Sequence, residues 1–74
     1  MDTEKAQKVR AIIAETVGFD PKDIQDEDRF IVDYSITYGE RKNLLERLNA
    51  EFGKEVDFTA FCQLETVGAV LQAY

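Results

Sequence analysis

The stretch "TYGERKNLLERLNAEFG", Thr37 to Gly53, decides the fold. Thr37, three residues ahead of Glu40, makes a capping box. The threonine oxygen accepts the Glu40 amide, and the Glu40 carboxylate reaches back to the Thr37 amide. Leu44, Leu45, Leu48 and Phe52 then recur at helical spacing and give one apolar stripe. Gly53 ends the run, where a residue without a Cβ can take the left-handed conformation. Lys42–Glu46 and Arg47–Glu51 stand four apart and are expected to add a few tenths of a kcal/mol each. Gly39 opposes initiation by up to about 1 kcal/mol relative to alanine.

Upstream, Val9, Ile12, Ile13 and Val17 make a second stripe, which predicts a helix over residues 3–17 closed by Gly18. Between the two helices lies a long polar connection, "FDPKDIQDEDRF". Pro21 suits the first turn of a short helical piece capped by Asp20. Ile24 and Phe30 are its apolar anchors to a core. Downstream, Asp57 or Thr59 can cap a brief helix carrying Phe58, Phe61, Cys62 and Leu64. A last helix from about Thr66 carries Val67, Val70, Leu71 and Tyr74. No segment alternates apolar and polar residues long enough for a strand. The expected class is all-α: a four-helix bundle of three main antiparallel helices and one short one, with a long first loop. The 74 residues are read as one small domain, 1–74, with a thin core.

Composition removes several functions. The chain has no histidine and one cysteine, Cys62, so neither a disulfide framework nor a histidine-based zinc or catalytic site is expected, and no metal. No nucleophile, base and orienting group converge in the sequence, so it is not read as an enzyme. Among Phe58, Phe61 and Leu64, Cys62 reads as a buried, inert thiol. The net charge is −6, which disfavours nucleic acid and anionic membranes as partners. The opening "MDTEKAQKVR" is polar and amphipathic, and no run is long enough to span a bilayer. A cytoplasmic, monomeric protein is expected. Six acids stand against Lys22 and Arg29 between Asp20 and Asp33, a local net of −4. Such a field either steers a basic partner or keeps a solvated loop soluble.

The pieces "VRAIIAETVGF", "DIQDEDRFIVD", "LLERLNAEFGKEV" and "LETVGAVLQAY" follow one another in a spacing that resembles the acyl carrier protein family, ungapped from Val9 to Tyr74. The resemblance implies a small helical bundle that carries acyl groups on a phosphopantetheine arm. In that family the arm is attached to the serine of an Asp-Ser-Leu triplet at the start of the second helix. The family pattern Phe-x-x-Asp-x-x-x-Asp-Ser-Leu matches here at Phe30 and Asp33. The triplet then falls on Thr37, Tyr38 and Gly39. Tyrosine stands where the attachment serine is expected, and glycine where the leucine is. In the family the second helix presents acidic and apolar residues to basic enzymes. Here the corresponding exposed apolar positions are Gly39, Lys42 and Glu46.

Two readings follow. The first is an interaction module without the arm, so without a cofactor, tied to fatty-acid or polyketide-type metabolism. It would bind a synthase or acyltransferase through Asp33, Ser35, Tyr38, Arg41 and Lys42. The second is a working carrier with phosphopantetheine on Ser35, the nearest serine; that needs a compensating insertion which the ungapped spacing lacks. The bland alternative for Ser35 is a loop hydroxyl ahead of the cap. Tyr38 reads equally as an interface anchor or as a half-buried ring over a thin core.

Overall fold

Helix α1, Thr3–Val17, opens the bundle in the structure, a computed structural model that describes residues 3–74. Val9, Ile13 and Ala14 put its stripe into the core. Gly18, at φ 79°, ends it, and the Gly18 and Phe19 amides return to the Ala14 carbonyl at 2.8 and 3.0 Å. A single 3-10 turn, Pro21–Asp23, follows, with the Asp20 carboxylate accepting from the Lys22 amide at 3.1 Å. Ile24 and Phe30 are buried, so both anchors of the connection reach the core.

The connection also contains a helix where the sequence predicts a loop: α2, Phe30–Tyr34. Its cap Arg29 has no side-chain acceptor. Instead the Asp33 carboxylate, inside the first turn, accepts from the Arg29 amide at 2.7 Å. The stop is equally unmarked. Ser35 takes the left-handed conformation, φ 49° and ψ 44°, where glycine is usual. The Ser35 and Ile36 amides return to Ile31 and Phe30.

Helix α3, Tyr38–Phe52, begins with both halves of the capping box in place: Thr37 accepts from the Glu40 amide at 3.1 Å, and Glu40 from the Thr37 amide at 2.9 Å. Leu44, Leu45 and Leu48 are buried, and Gly53 closes the helix at φ 62°. Asp57, rather than Thr59, caps α4, Phe58–Cys62, by accepting from the Ala60 amide at 2.7 Å. Thr66 caps the last helix, α5, Val67–Ala73. The architecture is all-α, with five α-helices among the described residues where four were expected. Among the described residues the only strand-like feature is an isolated bridge, Arg29 to Thr66.

Helix α1 packs on α3 and α5, and α3 on α4. The charged residues of α3 help differently from the expected spacing. Arg47 pairs with Glu15 of α1 at 3.0 Å and Glu51 with Lys8 at 3.6 Å, so these charges bridge helices instead of turns. The loop before α2 is stitched to the start of α5. The Gly68 amide donates to Asp26 O at 2.8 Å, Val67 to Asp28 O at 3.1 Å, and Phe30 to Glu65 O at 3.1 Å. A Cβ on Gly68 would stand 3.2 Å from the Asp26 carbonyl oxygen, which accounts for a glycine inside this helix. These bonds hold the start of α2 against the link after α4 and the start of α5, and so position the surface described next.

Candidate functional site

The junction between α2 and α3 holds every residue singled out as a binding candidate. Thr37 is the cap and Tyr38 the first residue of α3. Tyr38 is 68 % exposed, so it is not the half-buried cover for the core that is one of its two readings. It leans on Phe58 of α4 with ring centroids 5.1 Å apart. Ser35 is exposed at the left-handed end of α2. Asp33 is occupied by its bond to the Arg29 amide. Lys42 is exposed on the second turn of α3.

Arg41 has the most distinctive surroundings. It is half-buried, and among the described residues its guanidinium has no hydrogen-bond or ion-pair partner. It stands between two adjoining pockets. The smaller, about 100 Å³, is lined by Arg29, Ile31, Val32 and Glu65 together with Arg41 and Cys62. The larger, about 240 Å³, is lined by Ile36, Tyr38 and Phe58, again with Ile31, Arg41 and Cys62. Together they form a groove between α2, the start of α3, and α4. Cys62 is only partly buried and faces this groove, which corrects its reading as an enclosed core thiol.

The groove is apolar because α2 is too short to hide what it carries. Five residues make barely more than one turn, so only Phe30 and Tyr34 face inward. Ile31 and Val32, 66 and 64 % exposed, are left outside. Sequence reasoning missed Ile31, Val32, Phe58, Cys62 and Arg29 as groove residues. The available signal was the run "FIV", three bulky apolar residues of which one helix turn can bury one.

Most of the acidic loop serves its own structure. Asp20 caps the 3-10 turn, and Asp26 pairs with Arg10 of α1. Asp28 accepts from the Gln25 amide at 2.8 Å and from the Tyr34 phenol, while Asp33 accepts from the Arg29 amide. Burial, and after it the Asp28 carboxylate, holds the Tyr34 phenol well above its usual range. That hydroxyl is therefore a structural donor in the neutral form.

Residues 7–74 match the phosphopantetheine attachment site family (PP-binding). The chain belongs to this family, the helical carrier domains that work with protein partners such as synthases and are not catalytic themselves. No helix of the described residues is long and apolar enough to cross a membrane.

Proposed function

We propose that this chain is a carrier-type bundle that works without a phosphopantetheine arm, as a protein–protein interaction module. One observation carries the reading. The first residue of α3, directly after the Thr37 cap, is Tyr38, at the place where the resemblance puts the attachment serine. The residues present do not fit the group. Attachment needs a small primary hydroxyl at the helix start, and this position offers a phenol on a bulky ring already packed against Phe58. Thr37 is engaged in the capping box and Tyr34 in its bond to Asp28. The candidate partner residues at the α2–α3 junction are Asp33, Ser35, Tyr38, Arg41 and Lys42, of which Tyr38 and Arg41 line an apolar groove suited to a partner. In this reading the partner is a synthase or acyltransferase of fatty-acid or polyketide-type metabolism, met by a monomeric single domain in the cytoplasm.

One observation favours the second reading, a working carrier modified on Ser35. Its hydroxyl is exposed, and its backbone sits in a conformation that costs a side chain about 1–2 kcal/mol. Against it, Ser35 ends α2 and lies three residues ahead of the α3 start. An intact mass measured after incubation with coenzyme A and a broad-specificity phosphopantetheinyl transferase separates the two. The expected outcome is no mass gain, with an ordinary carrier protein modified in parallel. A gain of one phosphopantetheine that disappears in Ser35→Ala overturns the module reading. The double variant Tyr38→Ser, Gly39→Leu should regain modification; its failure would refute the register on which Tyr38 was matched to the serine.

A further inference from the structure

Four arginines are distributed unevenly between structure and surface. Arg10 pairs with Asp26, and Arg47 with Glu15. Arg29 and Arg41 have no carboxylate partner among the described residues, in a chain with fifteen acids and nine bases. Both line the groove between α2, α3 and α4, where Glu65 is the single carboxylate among the described residues. The groove is thus a cationic spot on an anionic molecule. Three of the large apolar side chains that the fold leaves exposed, Ile31, Val32 and Tyr38, lie along it.

We infer that this groove binds an acidic amphipathic helix of a partner protein, with apolar side chains entering the two pockets and flanking Asp or Glu on Arg29 and Arg41. This rests on the interaction-module reading above and specifies the partner's chemistry. Three physical points select the occupant. The first is charge: a guanidinium that is half-buried without a counter-ion gains most from a carboxylate brought in by a partner, as a short and often bidentate bond. The second is size. Pockets of about 100 and 240 Å³ fall below the roughly 300–1,000 Å³ of small-molecule sites and suit separate side-chain anchors. The third is backbone chemistry. The groove walls are helices and their flanks, with no sheet edge to extend, so an extended peptide would find few main-chain partners. A helix satisfies its own. The polarity is the reverse of that expected from the acidic loop, whose carboxylates are mostly engaged within the fold.

The test is selection from a phage-displayed library of helical 16-residue peptides, randomised on one face and panned against the intact chain. The expected winners carry two apolar residues at i and i+4 flanked by at least two Asp or Glu. Their synthetic versions should shift the backbone amide signals of Ile31, Ile36, Arg41 and Cys62 in a 1H–15N spectrum. Arg29→Glu with Arg41→Glu should weaken binding at least tenfold, with the circular dichroism spectrum unchanged. Winners of net positive charge, no winners, or shifts confined to residues 20–28 overturn the inference. So does a shift of the groove amides with protein concentration alone, which would assign the groove to a second copy. Shifts produced there by sodium decanoate with no peptide bound would assign it to a small amphiphile, and equally overturn it. The mass experiment reports on the module reading separately. An unmodified chain that binds no acidic helix loses this inference alone, whereas a chain modified on Ser35 loses the reading beneath it.

Discussion

Asn49 is a polar residue in the last turns of α3 that ties three parts of the chain together. Its side-chain amide donates to Val56 O at 3.0 Å, and its oxygen accepts from the Val56 amide at 3.3 Å and from the Tyr74 hydroxyl at 2.7 Å. It fixes both the exit from α3 and the position of Tyr74. Asn49→Ala should cost about 1–3 kcal/mol, because it leaves the part-buried Tyr74 hydroxyl and the Val56 amide without these partners. Urea unfolding measures it. In an Asn49→Ala background, Tyr74→Phe should cost less than it does alone, since the shared bond is already gone. Nothing in the sequence singles out Asn49, because its partners lie seven and twenty-five residues away. Thr37, by contrast, was legible at once, since its partner Glu40 is three residues off and the reciprocal geometry is local.

At the scale of elements, legibility follows length and capping. Helices α1 and α3 each carry fifteen residues, a full apolar stripe and a glycine stop, and both were readable. Helix α2 has five residues, no side-chain N-cap and a serine at its left-handed end. A helix that short is not stable by itself. It exists because Phe30 is buried and its amide bonds Glu65 O, which belongs to tertiary structure. Ser35→Gly should raise stability by roughly 0.5–1 kcal/mol, because glycine accepts positive φ without a Cβ penalty, partly offset by its freer unfolded chain. The midpoint of urea unfolding checks the sign. A lower midpoint would mean that the serine hydroxyl supports the cap. The candidate site divides in the same way. Tyr38, Arg41 and Lys42 were found by their position on a readable helix. The groove walls on α2 and α4 were not, since they become neighbours only when α4 packs on α3 and the α2 loop is stitched to α5.

For the molecule as a whole, alkaline pH is the informative stress. Burial raises the phenol pKa of both Tyr34 and Tyr74, and Asp28 raises that of Tyr34 further. The fold therefore favours the neutral phenols. Their contribution is complete below the unfolded value near 10 and is lost as pH rises above it. Stability should fall steeply above about pH 10, and the slope should be shallower in Tyr34→Phe than in the parent chain. Equal slopes in thermal melts between pH 9 and 11 would contradict this. In a chain whose core is so thin, losses of this kind are a large part of the total. By itself the sequence determined the all-α class, α1 and α3, and the capped start of α3. These depend on periodicity and on contacts three or four residues apart. Only the tertiary structure decided that α2 is helical, that Ile31 and Val32 stay outside, and that Arg29 and Arg41 stand around one groove without carboxylate partners among the described residues. Those outcomes depend on which distant segments meet and on how few side chains a single helical turn can bury.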